Sequence, residues 1–170
     1  PVAIPLLLIN GSTGIASGYA TNMAPHNLNE VVNATIFRLT HPTCTLDKVM
    51  SFIKGPDFPT GGIVQGKADI RSCFKTGKGK IVLRGKAEIV DNKSNQQIII
   101  TEIPYEIVKS SLVKRITDLS LGKDLDGISD VRDESGKNGL KIVIDIKKDA
   151  NAEMILNYLY KNTDLQINYS

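Results

Sequence analysis

The spacing of apolar residues changes along the chain between a helical and a strand-like period. Over residues 26–39, apolar side chains recur every three or four positions, which is typical of one face of an α-helix. The same period predicts helices over residues 26–39, 46–53, 67–74, 110–121 and 152–160. Strands are predicted over residues 2–9, 63–64, 80–90, 97–103, 128–132, 140–147 and 165–169.

Capping and turn residues mark the ends of these elements. Asn27 is a candidate cap of the first helix, with Glu30 placed three positions later as in a capping box. Thr45 is a candidate cap of the second helix, and Gly122 ends the fourth. The polar residues 91–95 predict a hairpin turn between two strands.

Hairpin-paired strands with interspersed helices predict an α+β fold. We expect a mixed, largely antiparallel sheet with helices packed on one face, preceded by an N-terminal strand-loop-helix arm. The proline- and glycine-rich turn at residues 56–62 is the main predicted boundary. It divides the chain into an arm with helices (1–60), an α+β subdomain (61–150), and a last helix with the start of a strand (151–170).

Composition narrows the class of protein only moderately. The 170 residues are 41% hydrophobic and 23% charged, as in a globular protein, and the net charge of +3 is mildly basic. No apolar run reaches the roughly 20 residues that span a bilayer, so no membrane partner is expected. Cys44 and Cys73 are isolated thiols, which favours a reduced, cytoplasmic protein. Because the chain begins with Pro1, we expect a piece of a longer protein.

The most informative segment is the glycine-rich run at residues 10–21. It places one branched apolar residue, Ile15, among glycines and other small residues. Glycine allows close backbone approach and turns with positive φ. Such a slim segment suits insertion of Ile15 as a wedge, for example between the base steps of bent DNA. The alternative is that Ile15 fills an apolar pocket of its own chain.

Catalytic and metal-binding patterns are not recognisable in the sequence. Residues 76–80 (TGKGK) lack the spacing of a phosphate-binding Walker loop and lead into a strand. Adjacent carboxylates at Asp133 and Glu134 point to different sides of a strand, so a structural salt link through Arg132 is the better interpretation. Lys109, Lys114 and Arg115, in the helical segment that follows Pro104 and Tyr105, are expected to form a solvated face.

Several motifs, in order, resemble the A subunit of bacterial type IIA topoisomerases, the family of DNA gyrase A and topoisomerase IV A. They are NGSTGI (10–15), GYATN (18–22), PHNL (25–28), GPDFPT (55–60), TGKG (76–79), EIPYE (102–106), RDES (132–135) and LNYLY (156–160). Residues 18–21 and 163–169 favour the topoisomerase IV branch over the gyrase branch. The chain departs from the pattern at residues 16–17 (Ala-Ser for Ser-Ala) and 23–24 (Met-Ala for Ile-Pro).

The resemblance implies an ATP-dependent enzyme that passes one DNA duplex through a transient double-strand break in another, to decatenate and relax DNA. Residues 1–60 would continue from an upstream winged-helix domain, 61–150 would be the tower subdomain, and 151–170 would lead toward a coiled coil. The cleaving tyrosine would lie upstream, so this segment alone should be inactive. Expected partners are double-stranded DNA, the B subunit of topoisomerase IV, and a second copy of the A subunit. The B subunit would supply the Mg²⁺ and ATP sites, and this chain would bind no cofactor. The expected location is the cytoplasm, at the nucleoid.

The family motif places its DNA-intercalating isoleucine at Ile15. The resemblance further implies DNA contacts for eight residues: Asn10, Gly11, Ser12, Thr13, Asn22, His26, Asn27 and Lys78. Three of these have structural alternatives: Asn27 as a helix cap, His26 as a packed side chain, and Lys78 in an exposed turn. A free-standing α+β nucleic-acid-binding or protein-interaction module is the alternative function, although it would leave the motif series unexplained.

Overall fold

The computed structural model describes residues 2–122 and 124–170. The helices are α1 (Leu6–Asn10), α2 (Leu28–Thr40), α3 (Leu46–Met50), α4 (Lys67–Thr76), α5 (Lys109–Leu121) and α6 (Ala152–Asn162). The strands are β1 (Ser12–Ala16), β2 (Tyr19–Met23), β3 (Ile63–Gln65), β4 (Ile81–Arg84), β5 (Lys86–Asp91), β6 (Gln96–Glu102), β7 (Ile128–Asp133), β8 (Ile142–Ile146) and β9 (Gln166–Tyr169). The predicted α+β class is confirmed.

The described chain divides into two compact units. Unit 1 comprises residues up to Pro59, Val64–Val82 and Asn168–Ser170, and unit 2 comprises Thr60–Ile63 and Leu83–Ile167. A two-stranded sheet pairs β1 with β2, a three-stranded sheet has the order β3-β4-β9, and a four-stranded sheet has the order β5-β6-β8-β7.

The four-stranded sheet carries the core of unit 2. Its pairs are antiparallel, with Ile98 opposite Ile144 and Ile100 opposite Ile142. These side chains point to one face of the sheet and are fully buried. Against them pack residues of α5 and α6, including Ile116. The prediction of helices on one face of a largely antiparallel sheet is therefore confirmed for this unit.

Gly85 interrupts the segment that the sequence predicts as one strand over residues 80–90. β4 ends before it and β5 begins after it, and the two strands belong to different sheets. The Gly85 N–H donates to the Leu165 carbonyl at 2.7 Å, and the Tyr160 hydroxyl donates to the Gly85 carbonyl at 3.1 Å. A Cβ at this position would lie 2.7 Å from the Glu102 carbonyl oxygen, so close backbone approach requires glycine here.

The N-terminal strand predicted over residues 2–9 is wrong. The chain instead forms the short helix α1 directly after Pro5, and none of the helix residues is buried. A short apolar run has no period that separates a strand from a helix, and proline is well tolerated at the start of a helix. The predicted strand-loop-helix arm is therefore a helix, a β-hairpin and the helix α2.

The helix α2, the first helix predicted from the sequence, is built largely as expected. The Asn27 side chain accepts from the backbone N–H groups of Asn29 and Glu30, at 3.0 and 3.2 Å. Glu30 does not complete a capping box, since its carboxylate instead accepts from the Lys54 N–H at 3.4 Å. Val31 is buried against Ile53 in the small core of unit 1. The Thr45 side chain makes no capping bond to α3.

Two further expectations about side chains are confirmed. Arg132 forms ion pairs with Asp130, Glu134 and Asp145, which is the structural salt link that the sequence predicts. Cys44 and Cys73 are both free thiols.

Within the described ranges, no helix has the length and apolarity needed to cross a membrane. In the same ranges, no three His, Cys, Asp or Glu side chains are grouped so as to hold a metal ion.

Candidate nucleic-acid interface

The glycine-rich segment forms an antiparallel hairpin of β1 and β2, which we call the hairpin arm (residues 12–23). Ser12 lies opposite Met23 at its base, and Ala16 lies opposite Tyr19 at its tip. The turn between the strands holds Gly18 at φ 81°. The sequence has no alternating pattern here because neither face of the hairpin arm is covered: every residue of the two strands is exposed except Gly14 and Met23, which are half-buried.

The base of the hairpin arm is held by tight backbone contacts. Gly11 has φ 69°, and its N–H donates to the Leu7 carbonyl at 3.0 Å. A Cβ on Gly11 would overlap the carbonyl oxygen of Met23, where the returning strand ends. The His26 N–H donates to the Ile9 carbonyl at 3.3 Å. The direction in which the hairpin arm extends from the rest of unit 1 is thus set by backbone packing around Gly11.

The strand register sorts the predicted DNA contacts onto two faces. Ile15 shares a face with its partner Ala20 and with the next pair, Thr13 and Asn22. Thr13 Oγ1 donates to Asn22 Oδ1 at 3.2 Å across that pair. Ser12 lies on the opposite face. The structure therefore brings Thr13, Ile15 and Asn22 together and separates Ser12 from them.

Asn10 and Gly11 lie at the base of the hairpin arm rather than on it. Asn10 is the exposed last residue of α1, and Gly11 follows it as the capping residue. Their distance along the chain from Ile15 places them at the end of the hairpin arm that is remote from its tip.

Ile15 is 90% exposed, which makes it the most exposed large hydrophobic residue described in the chain. It therefore fills no apolar pocket of its own chain. A two-stranded hairpin without a core is only marginally stable by itself in water. Both observations favour a surface that becomes buried against a partner, and a two-stranded ribbon has dimensions that a DNA groove admits.

The structure supports the structural alternatives for His26 and Asn27. The His26 side chain is 7% exposed, and its Nδ1 lies 3.0 Å from the Leu8 carbonyl oxygen. A carbonyl only accepts, so Nδ1 carries a proton. The Asn27 side chain caps α2, and its amide donates to Asp57 at 3.0 Å. The His26 side chain is therefore buried away from a phosphate, and one of the two N–H groups of the Asn27 amide is already donated to Asp57.

Comparison with known proteins identifies the family. The model of the family of DNA gyrase/topoisomerase IV A subunits matches residues 1–170. The chain belongs to this family. The A subunits of DNA topoisomerase 4 from Streptococcus pneumoniae and Bacillus subtilis are each 55% identical to it over 171 aligned residues. The protein of the same name from Staphylococcus epidermidis is also 55% identical. The chain is covered completely in each case, but it spans only 21% of the length of these relatives.

In this gyrase/topoisomerase IV A-subunit chain, unit 1 contains a second feature besides the hairpin arm, a basic face on α4. Lys67, Arg71 and Lys75 recur every four positions and are exposed, and Lys78 is exposed in the turn that follows. Arg71 is paired with Asp47 at 2.9 Å. Of these four basic residues, only Lys78 is among the predicted DNA contacts, although the four-residue spacing of the other three predicts one helix face. Long basic side chains on one face suit contacts with a phosphate backbone.

His26 gives this A-subunit chain a testable pH dependence. Burial lowers the pKa of His26 below its ordinary value of 6.5. Below about pH 6.5 the unfolded chain therefore binds a proton that the folded chain excludes, so stability falls with acidification and levels off below the folded pKa. We expect the free energy of unfolding to decrease between about pH 7.5 and 5.5, measured by urea denaturation.

The matched variant is His26→Gln, which keeps an N–H donor near the Leu8 carbonyl but does not titrate. We expect it to lose most of this pH dependence. An unchanged dependence in His26→Gln would assign the effect to other groups.

Proposed function

We propose that this segment binds and bends the duplex that topoisomerase IV cleaves, with Ile15 inserted between two base pairs. The observation that carries the proposal is the 90% exposure of Ile15 on a hairpin arm that has no core. Membership in the A-subunit family supports DNA as the partner. The relatives that carry the name topoisomerase 4 favour this enzyme over gyrase, in which the same region would have the equivalent role.

Insertion of the Ile15 side chain alone does not supply enough free energy to keep the DNA bent. Unstacking a base step costs a few kcal/mol. Burying an isoleucine side chain contributes about 1.5–3 kcal/mol, so intercalation alone does not sustain a bend. The remaining free energy would come from phosphate contacts made by Lys78 and the exposed basic residues of α4, which lie in the same unit as the hairpin arm.

In the proposed whole enzyme, two A subunits would cleave both strands of one duplex through tyrosyl-phosphate bonds, allow a second duplex to pass, and reseal the first. The B subunit would supply ATP hydrolysis and Mg²⁺. The role of the present segment would be mechanical, since it would set the bend and register of the cleaved DNA. The enzyme would act on chromosomal DNA in the cytoplasm, at the nucleoid. The segment alone would not cleave DNA.

The direct test is a bend measurement on a full-length A subunit that contains these residues, assembled with its B subunit. A duplex labelled with a donor and an acceptor at its two ends should shorten its end-to-end distance on binding. Binding without shortening would contradict the proposed function.

Lys78 allows a second, independent measurement. Replacing Lys78 by alanine removes one cation that would neutralise a phosphate, so we expect the slope of log K against log salt concentration to become shallower by about 0.9. Affinity can be measured by fluorescence anisotropy over a series of salt concentrations. Lys148→Ala, an exposed lysine in unit 2, is the control and should leave the slope unchanged. Equal slopes for Lys78→Ala and the wild type would show that Lys78 makes no contact with a DNA phosphate.

A further inference from the structure

Tyr19 is the second large side chain that the hairpin arm exposes to water. It is 84% exposed and begins β2, beside the turn. Its cross-strand partner is Ala16, so it lies on the face opposite Ile15 and Ala20. Among the residues that the structure describes, none packs an aromatic ring against Tyr19 or hydrogen-bonds its hydroxyl. The fold therefore gives this aromatic residue no structural role.

The surroundings of Tyr19 leave room for a partner. Its neighbours on the same face of the hairpin arm are small: Ala16, Gly14 and Thr21. A tyrosine offers a broad apolar ring and one polar atom, the combination that is typical of interfaces. The first acidic residue of the chain is Glu30, so the sequence around Tyr19 contains no carboxylate to repel a polyanion.

We propose that Tyr19 is a second DNA contact of the hairpin arm, made by its ring to a deoxyribose and by its hydroxyl to a phosphate. This inference rests on the proposed function. If the face that bears Ile15 is turned toward a base step, a side chain on the opposite face cannot reach that step. Tyr19 lies next to the turn, at the same end of the hairpin arm as Ile15, so the part of the duplex nearest to its side chain would be the sugar–phosphate backbone that flanks that step. Tyrosine hydroxyls are among the groups that bind phosphate oxygens.

The contact has a distinct thermodynamic signature. A phenol is neutral, so it displaces no condensed cation from DNA, whereas a lysine does. Loss of the Tyr19 hydroxyl should therefore lower the affinity equally at every salt concentration. Loss of Lys78 should change the slope with salt. The two kinds of contact can be separated in the same titration.

The experiment uses full-length A and B subunits with a duplex that carries 2-aminopurine beside the bent step. We expect Tyr19→Phe to weaken DNA binding about tenfold, since a hydrogen bond to a charged group is worth about 1.5 kcal/mol or more and about 1.4 kcal/mol is tenfold. The salt slope should be unchanged, and Tyr19→Ala should bind more weakly still. At saturating protein, both variants should keep the 2-aminopurine signal of an unstacked step.

The controls separate failure of this inference from failure of the proposed function. Leu121→Ala removes a side chain that is 82% exposed in unit 2 and should bind like the wild type. If Ile15→Ala abolishes unstacking while Tyr19→Phe binds like the wild type, the Tyr19 contact is wrong and the proposed function stands. If neither Ile15→Ala nor Tyr19→Ala changes binding or unstacking, the proposed function itself is wrong.

Discussion

Replacing Ile15 by alanine in a full-length A subunit is expected to lower the population of bent DNA about ten- to hundredfold relative to unbent complex. The magnitude follows from the loss of about 1.5–3 kcal/mol of apolar burial, at about 1.4 kcal/mol for each factor of ten. The fold should be unaffected, because a side chain that is 90% exposed makes few contacts in its own chain. The bend can be measured by energy transfer between the duplex ends, and the cleaved fraction can be measured on the same DNA.

Two matched variants make this result interpretable. Ile15→Met keeps an apolar side chain of similar size and should retain most of the bend. Leu121→Ala removes an apolar side chain of similar exposure, 82%, in unit 2 and should change neither bend nor cleavage. A bend that survives Ile15→Ala would show that the side chain is not the wedge, and bending would then have to come from backbone contacts alone.

The regular core of the fold could be predicted from the sequence because its helices keep apolar residues at helical spacing and its strands are short runs of β-branched residues between turns. α5 keeps Leu112, Ile116 and Leu119 at helical spacing, and all three are buried. β6 and β8 each contain a short run of β-branched residues, 98–100 and 142–144, and these two runs lie opposite one another in the sheet. In such segments, burial itself imposes the pattern from which the element is predicted.

The hairpin arm could not be predicted as a pair of strands for the opposite reason. Both of its faces are in water, so no alternation of apolar and polar residues is required there. The position of Ile15 among small residues did indicate an insertion element, because an exposed branched side chain in a glycine-rich segment has no role in a core. Nothing in the sequence marks Tyr19 of the same segment as an exposed contact residue. Only the strand register shows that it lies on the face opposite Ile15.

Two other features could not be predicted from the sequence. The N-terminal helix α1 lies in a segment whose local pattern is ambiguous, and the strand break at Gly85 depends on contacts with residues distant in the chain. An apolar run such as residues 2–9 fits either a strand or a helix. Gly85 is specified by its approach to the backbone of Glu102 and Leu165, which are far from it in sequence. Single-residue alternation across residues 80–90 carries no information about such a contact.

A substitution at Gly11 tests whether DNA bending depends on the direction of the hairpin arm as much as on the Ile15 side chain near its tip. Gly11 and Gly18 both have positive φ, at 69° and 81°. Alanine at either position should cost about 1–2 kcal/mol of backbone strain. At Gly18 nothing lies within 4 Å of the added Cβ, whereas at Gly11 the Cβ would overlap the Met23 carbonyl oxygen. The overlap should add about 1–3 kcal/mol and displace the base of the hairpin arm.

We therefore expect Gly11→Ala to abolish bending in the full-length protein even though Ile15 is intact, while Gly18→Ala keeps most of it. Hydrogen exchange should show which part of the molecule responds. The amides of the hairpin arm should exchange faster in Gly11→Ala, and those of β6 and β8, which lie in unit 2, should be unchanged. Equal effects of the two substitutions on exchange and bending would mean that strain at positive φ, rather than the contact with Met23, controls the hairpin arm. Intact bending in Gly11→Ala would mean that the wedge acts independently of how its base is anchored.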